Sequence, residues 1–392
     1  MRILFILLML SLISFQATAQ IAVKGKKVYT MAGEVIENGI VLINKEKIEI
    51  VGKQDDIVIP EGYKIIAGEY VTPGLIDSRT VVGLSGISNQ THDQDQLEYS
   101  DPIQPELRAF DAYNPNDPLI AWLAGFGITT VNTGHAPGAL ASGQTMIIKT
   151  TGELGSSILD SVFAVAFSLG NNISGQFKTP GSRPKGIAML RSAFIGAQNY
   201  KAQKIAGKAE LNLKNEILTD ILNRKVKAII TANTSVDILG ALRLAEEFGF
   251  DLILDGAAEA YLVKDEITKS KVSILLHPMM GRTKNISYTT PKLLKDNNIS
   301  FAIQGGYEPY VPKVRNVLFE AAIAAANGLT FEQSLSSITI DAARILNIDK
   351  KVGSLEKGKD ADIVVFDGNP FEYTTHACEV IINGKIIKKD CK

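Results

Sequence analysis

The chain has 392 residues and a formal charge of −1, and 45% of its residues are hydrophobic while 21% are charged. These proportions are ordinary for a folded globular protein and exclude a disordered, collagen-like or coiled-coil chain. The near-neutral charge gives no electrostatic basis for nucleic-acid binding. We therefore expect a globular protein that acts on a small molecule.

The first residues have the pattern of a secretory signal peptide. Arg2 gives a positive start, an apolar stretch covers residues 3–15, and Ala17-Thr18-Ala19 forms an A-x-A cleavage site. Roughly 13 apolar residues are too few to cross a bilayer, which needs about 20. The sequence predicts a signal peptide at residues 1–19, export to the periplasm or the cell exterior, and no membrane span in the mature chain.

Short β-rich segments lie at both ends of the remaining chain. From residue 21 to about residue 70, and again from about 352 to 388, apolar β-branched runs are separated by turn residues. The N-terminal segment predicts a small antiparallel sheet. In the C-terminal segment, Asn383-Gly384 between two such runs predicts a two-residue hairpin, because a type I′ turn needs positive φ at both central residues.

Two cysteines, Cys378 and Cys391, flank this hairpin. If Ile382 pairs with Lys385, Cys378 faces Lys389 and Cys391 lies two residues further on, as a diagonal neighbour. In an exported protein a disulfide is one outcome, provided that the hairpin end bends, and two free thiols are the alternative.

Between these segments, strand patterns alternate with helical patterns. The predicted strands include residues 129–132, 228–231, 252–254, 273–276 and 301–303, and the predicted helices include residues 236–248, 319–327 and 331–346. This alternation predicts a parallel β/α array, most simply a (β/α)₈ barrel. A doubly wound sheet is the competing fold, but no Gly-x-Gly-x-x-Gly follows the first strand.

Two motifs carry a resemblance to a known family. The run Tyr70-Val-Thr-Pro-Gly-Leu-Ile-Asp77 resembles the start of the first barrel strand in the amidohydrolase superfamily. The run from Val352 to Asp367 resembles that superfamily's return into its small β-sandwich. Further segments are similar to the imidazolonepropionase-like branch, at residues 101–115, 127–131, 142–144 and 237–248.

The resemblance implies both a fold and a reaction. It implies an α/β fold, with a TIM-like (β/α)₈ barrel at residues 71–351 and a composite β-sandwich from residues 20–70 and 352–392. The family hydrolyses C–N bonds, and its zinc or similar divalent metal makes hydroxide available near neutral pH. Its ligands are a His-x-His after the first strand, a His after each of the fifth and sixth strands, and an Asp after the eighth.

This chain departs from the family pattern at each of those places. The His-x-His positions hold Arg79 and Val81, and the other positions fall at Thr231 to Asn233, at Asp255-Gly256 and at Gly306. Glycine has no side chain to offer, and the cationic arginine repels a metal ion. We therefore predict no metal cofactor for this chain.

One imidazole remains as a candidate catalytic group. His135 lies in a loop after a predicted barrel strand, on the side where barrel active sites lie. A structural or exposed histidine is the alternative interpretation.

A ligand pocket is predicted at the barrel mouth, formed by Asp77, Arg79, Thr231, Asn233, Asp255, His277, Tyr307 and Glu308. Arg79 could clamp a carboxylate through paired hydrogen bonds, so the expected ligand is a small, anionic molecule. The alternatives are that Asp77 holds a backbone turn, that Glu308 is a surface residue and that His277 is a loop histidine.

Two functions stay open at this point. One is an exported hydrolase of C–N bonds in non-peptide or small-peptide substrates, acting through a relocated site. The other is a non-catalytic relative, a pseudoenzyme, that binds a small ligand or partners an active amidohydrolase. The fold does not decide between them, because function depends on the site. A homo-oligomer is also expected from the family.

Overall fold

The computed structural model describes residues 20–88, 90–153, 155–277, 285–307 and 317–391. The predicted signal peptide and Glu308 lie outside these residues. Within them, no helix combines the length and the apolar character that crossing a membrane requires.

The elements are numbered here in chain order. The strands are β1 (Gln20–Val28), β2 (Ile36–Asn44), β3 (Lys47–Lys53), β4 (Lys64–Pro73), β5 (Leu75–Thr80), β6 (Ile128–Gly134), β7 (Ala141–Lys149), β8 (Ile158–Ser168), β9 (Lys227–Ala232), β10 (Leu252–Gly256), β11 (Ser273–Leu276), β12 (Phe301–Ile303), β13 (Ile363–Phe366), β14 (Ala377–Ile382) and β15 (Lys385–Lys389). The α-helices are α1 (Ala109–Ala112), α2 (Pro118–Gly125), α3 (Arg183–Ile205), α4 (Leu213–Leu222), α5 (Ser235–Phe248), α6 (Lys264–Ser270), α7 (Thr290–Asp296), α8 (Val317–Ala326), α9 (Phe331–Ser337) and α10 (Ile340–Ile345).

One seven-stranded sheet combines the two ends of the chain, in the order β15-β14-β13-β4-β1-β2-β3. The predicted antiparallel pattern is wrong for one pair, because β4 runs parallel to β1 instead of pairing with β3. The connection from β3 to β4 crosses the sheet and packs Ile57, Ile59 and Tyr63 against one of its faces. This crossover sets the parallel pairing.

The second sheet is a nearly closed barrel of eight strands, β5 to β12 in sequence order. The predicted TIM-like architecture is confirmed, with one difference: β7 runs antiparallel to both β6 and β8. Residues 135–140 and 150–157 join these strands, and such short connections make hairpins, whereas a parallel crossover needs about a dozen residues or more.

The predicted helix at residues 331–346 is two helices, α9 and α10. Thr330 and Gln333 form a capping box at the start of α9. The helix ends because the carbonyl oxygen of Ile338 accepts a hydrogen bond from the backbone N–H of Ile76, at 2.8 Å. The break therefore ties this helical segment to the first barrel strand.

The C-terminal hairpin has the predicted turn. Asn383 and Gly384 have φ values of 49° and 70°, and Ile382 pairs with Lys385. A bulge between Val380 and Ile381 then shifts the register, so that Glu379, not Cys378, lies opposite Lys389. The shift brings the cysteine positions closer than regular pairing allows, and Cys378 and Cys391 form a disulfide with Cα atoms 4.1 Å apart.

Candidate functional site

An apolar cluster closes the lower part of the barrel interior. It contains Ile76, Ile147, Ile229, Ile253, Leu275 and Ala302 from six barrel strands. Ala342 of α10 packs against these residues from below. Because strand side chains alternate between faces, the residues two positions further along also face the interior.

Those next positions are polar. On five parallel strands they are Ser78, Thr231, Asp255, His277 and Gln304, and all five are buried. This layer lies towards the carboxyl ends of the strands, where barrel enzymes place their active sites. The change from apolar to polar inward-facing residues thus marks the candidate site.

Asp255 is the centre of a hydrogen-bond network in this layer. Its Oδ2 accepts from Thr231 Oγ1 at 2.5 Å and from the hydroxyl of Tyr307. Its Oδ1 accepts from Gln304 Nε2 at 2.6 Å. Burial, reinforced by the charge of Asp255, raises the pKa of Tyr307 well above its usual range. Tyr307 therefore acts as a protonated hydrogen-bond donor.

Asp77 and Arg79 lie at the end of the first barrel strand, fully buried. Asp77 Oδ1 accepts from the backbone N–H groups of Arg79 and Gly305 at 3.2 and 3.0 Å. These bonds agree with the alternative interpretation, in which Asp77 holds a backbone turn. Its Oδ2 is buried without a partner. Burial raises the pKa of Asp77 to about 7, against the opposing effect of its hydrogen bonds and of Arg79.

The guanidinium of Arg79 is held by backbone oxygens. Nη1 donates to the carbonyl of Thr80 at 3.1 Å and Nη2 donates to the carbonyl of His135. Nε is buried without a partner. The ring of Tyr307 lies 5.2 Å from Arg79 Cζ and makes a cation–π contact, which connects Arg79 to the Asp255 network.

His135 is buried in the loop after β6. Its Nδ1 donates to the carbonyl oxygen of Gln144 at 3.1 Å. Burial lowers the pKa of the imidazole, so the neutral ring is favoured. The ring packs on Gly143, where a Cβ atom would come within 2.7 Å of it. The catalytic role of His135 stays a prediction.

Asn233 and His277 contact other residues. Asn233 Nδ2 donates to Asn172 Oδ1 at 2.8 Å, and His277 Nε2 lies 3.8 Å from Glu320 Oε1 on α8. The structure thus brings Asp77, Arg79, Thr231, Asp255 and Tyr307 into one connected set.

Gln304 belongs to the same set and was not predicted. A signal for it existed, since it lies two residues after Ala302, an inward-facing residue of a predicted strand. Side chains of a strand face the same side at every second residue, and extending this alternation one step past the end of that strand places Gln304 in the barrel interior.

Comparison with known proteins identifies the scaffold. A family model described as "Amidohydrolase family" matches residues 286–388. The chain is 24% identical over 404 residues to the imidazolonepropionase of Fusobacterium nucleatum subsp. nucleatum, covering 91% of this chain and 93% of that protein. It is 22% identical to a 5-methylthioadenosine/S-adenosylhomocysteine deaminase of Thermoanaerobacter pseudethanolicus, covering 91% and 90%. A crystal structure of an amidohydrolase from Thermotoga maritima superimposes with a TM-score of 0.88 at 27% identity, covering 94% of this chain and 100% of that one.

The chain belongs to the amidohydrolase superfamily. Its similarity to imidazolonepropionases over nearly the whole length places it in the imidazolonepropionase-like branch, as the sequence motifs predicted. The superfamily acts on C–N bonds, so this chain has the scaffold of a C–N hydrolase.

The residues that the sequence motifs place at the superfamily's metal positions do not fit a divalent cation. Such an ion takes imidazole, carboxylate or thiolate ligands, whereas Arg79 brings a fixed positive charge and Gly306 brings no side chain. The carboxylate of Asp255 is engaged on both oxygens. Among the described residues, the group of His, Cys, Asp or Glu side chains close enough to share an ion lies at the C-terminal hairpin and not in the barrel.

Proposed function

We propose that this protein is an amidohydrolase-family pseudoenzyme whose barrel centre binds a small anionic molecule through Arg79. A single observation carries the proposal: the guanidinium of Arg79, at the position that the sequence motifs assign to a metal ligand of the family, is completely buried and keeps an unpartnered Nε. The barrel therefore has a fixed organic cation at this position. A cation of this shape suits recognition of a carboxylate better than activation of water.

Arg79 has donors left for a ligand. Two of its nitrogens donate to backbone carbonyl oxygens, and these bonds fix the plane of the guanidinium. An anion that reached the Nε side would accept a charge-assisted hydrogen bond in surroundings of low dielectric, where such bonds are strong. Ligand binding would also relieve the cost of a buried, unpartnered donor.

Asp77 links this binding to pH. With a pKa of about 7 it is partly protonated at neutral pH, and its unpartnered Oδ2 can then donate a hydrogen bond to an anion. Above that pKa, a charged Asp77 repels the same ligand. We therefore expect anion binding to take up a proton and to weaken as the pH rises from 6 to 8.

Calorimetric titration of the mature protein with small carboxylates, such as dicarboxylates and N-acyl amino acids, tests the proposal. We expect binding of at least one of them to weaken tenfold or more in Arg79→Lys, which keeps the charge but loses the planar fork. Arg191→Met is the matched control, since that arginine pairs with Glu247 on the surface. If no carboxylate binds, or if Arg79→Lys binds as the unmodified protein does, the proposal is wrong.

A second function, C–N hydrolysis by this chain itself, has one observation in its favour. The unpartnered Oδ2 of Asp77, with a pKa of about 7, is suited to act as a general base. If Asp77 activates water, the protein will hydrolyse small amides or cyclic amides in the presence of a strong chelator, and Asp77→Asn will abolish that turnover. A stable fold without turnover on such a panel supports the pseudoenzyme.

The cellular setting of this function stays a prediction. We propose that the protein is exported to the periplasm or the cell exterior, on the strength of the pattern in residues 1–19. A homo-oligomer or an active amidohydrolase partner is likewise proposed. Cell fractionation, with N-terminal sequencing of the exported form, tests the first proposal, and sedimentation analysis tests the second.

A further inference from the structure

A group of metal-ligating side chains lies at the C-terminal hairpin, outside the barrel. The carboxylate of Asp367 and the sulfur atoms of Cys378 and Cys391 lie within 4.8 Å of one another. A fourth donor is next to them, because His376 Nδ1 lies 3.1 Å from Asp367 Oδ2. Two sulfurs, a carboxylate and an imidazole are donor types that zinc prefers.

The backbone holds three of the four donors together independently of the disulfide. His376 N–H donates to Asp367 Oδ1 at 2.7 Å, and Asp367 N–H donates to the carbonyl of His376 at 3.3 Å. Pairing of β13 with β14 and of β14 with β15 sets the relative positions of the strand ends. Asp367, His376 and Cys378 therefore stay neighbours when the bond between the sulfurs is broken, and Cys391 follows the last paired residue of β15, Lys389, by only two positions.

The group is also open to incoming ions. Asp367, His376 and Cys391 are exposed, whereas Cys378 is buried at the start of β14. His376 is 51% exposed in its side chain, and an ion that bound there would replace the contact of its Nδ1 with Asp367. A site with one buried and three exposed donors can be reached from solvent without unfolding.

We propose that reduction of the Cys378–Cys391 disulfide converts the hairpin into a zinc site, with Cys378, Cys391 and Asp367 as ligands and His376 as the fourth. A dithiol supplies two electrons and two protons, becomes a disulfide itself and leaves two cysteine thiols. Zn²⁺ then displaces the two thiol protons and forms two zinc–thiolate bonds. The oxidised hairpin has no thiolate to offer, so zinc binding depends on the redox state.

The experiment uses the mature chain, oxidised or reduced with a phosphine that is afterwards removed under anaerobic conditions. Zinc affinity is measured by competition with a chromophoric chelator, and the site is examined with Co²⁺. We expect one zinc per reduced chain, none in the oxidised chain, and the thiolate-to-cobalt and tetrahedral d–d bands in the reduced form only. The double variant Cys378→Ser/Cys391→Ser should not bind under either condition.

Single variants distinguish a four-donor site from a simple thiol pair. Asp367→Asn and His376→Gln should each weaken zinc binding at least tenfold, the range seen when groups around a metal site are removed. Glu379→Gln is the matched control, because this carboxylate follows Cys378 in the chain but is not among the donor side chains close enough to share an ion. Circular dichroism verifies that each reduced protein remains folded.

Two results would overturn the proposal. One is a folded, reduced protein that binds zinc no more tightly than the double serine variant. The other is an affinity that Asp367→Asn and His376→Gln leave unchanged, which would reduce the site to adventitious binding by thiols. Both measurements are independent of Arg79 and of the barrel, so they neither support nor weaken the proposed function.

Discussion

Arg79 donates a hydrogen bond to the backbone carbonyl oxygen of His135, which lies 56 positions further along the chain. The bond joins the end of β5 to the loop after β6. The buried arginine thus positions, through the backbone, the loop that carries the candidate catalytic imidazole. Removal of the arginine should affect both the stability of the barrel and the arrangement of its mouth.

Arg79→Met tests the structural part of that role. The change leaves the buried carbonyl oxygens of Thr80 and His135 without their donor, and each unpaired group costs about 1–3 kcal/mol. We expect the free energy of unfolding to fall by about 3 kcal/mol in urea titrations followed by circular dichroism. Arg191→Met, on the surface, should leave the unfolding midpoint close to that of the unmodified protein, and equal effects of the two changes would contradict the assignment.

Asp77 should make stability depend on pH in a particular direction. Its folded pKa of about 7 exceeds the unfolded value of about 3.9. Between these values the folded state binds more protons than the unfolded state, so stability falls as the pH rises from 4 to 7. The free energy of unfolding falls by about 4 kcal/mol in total, because each unit of difference between the folded and unfolded pKa values is worth about 1.4 kcal/mol.

Asp77→Asn isolates this contribution, since the amide oxygen can still accept from Arg79 and Gly305. The difference in unfolding free energy between variant and unmodified protein should grow in favour of the variant between pH 5 and pH 8. The lowered pKa of buried His135 makes stability rise with pH below about pH 6.5, which is the opposite direction. This effect contributes equally to both proteins, so it cancels in the difference. Parallel stability curves for the two proteins would show that Asp77 is ionised at neutral pH.

The local signals of the sequence were sufficient for much of the fold. The Asn383-Gly384 turn and the run from Leu252 to Leu254 depend on neighbouring residues alone, and the structure has them as predicted. The antiparallel strand β7 was missed because its direction follows from two short connections and not from its composition. The helix break at Ile338 depends on a hydrogen bond to a strand more than 260 residues earlier.

For the site, residue type and strand position indicated which side chains face the barrel mouth. They did not indicate the partners: the contact of Tyr307 with Asp255, or of Arg79 with the carbonyl of His135, is made between segments far apart in sequence. The bulge opposite Val380 and Ile381, where Ile387 is the inserted residue, likewise brought the two cysteines closer, and a two-residue repeat carries no signal for an inserted residue.

Gly384→Ala tests the turn that supports the hairpin. Gly384 has a φ of 70°, and a Cβ atom there would lie 1.8 Å from the carbonyl oxygen of Lys45. The variant must shift backbone on both sides, so we expect a loss of about 2 kcal/mol in unfolding free energy. Gly33→Ala, at a glycine with open space around it, is the control and should be close to neutral.

Lys149 is the charged group on which the junction between the two sheets depends. It ends β7 with its side chain 1% exposed, and Nζ contacts Asp360 at 2.7 Å, Asp362 at 3.0 Å and the side-chain oxygen of Asn383. Burial raises the pKa of Asp362, although Lys149 opposes this. Lys149→Met would leave two carboxylates without their buried cation, and breaking such a pair costs about 3–5 kcal/mol.

We expect that loss in urea unfolding of Lys149→Met at pH 7 and a smaller one near pH 4, where the carboxylates can take up protons in the folded variant. Lys149→Met/Asp362→Asn should recover part of the lost stability, since it removes one of the two stranded charges. Lys47→Met is the matched control: it contacts the same Asp360 at 2.5 Å, but its side chain is 54% exposed. Because solvent screens exposed pairs, that change should cost less than about 1 kcal/mol. Equal losses in the two single variants would show that the buried position of Lys149 gives it no special role at the junction.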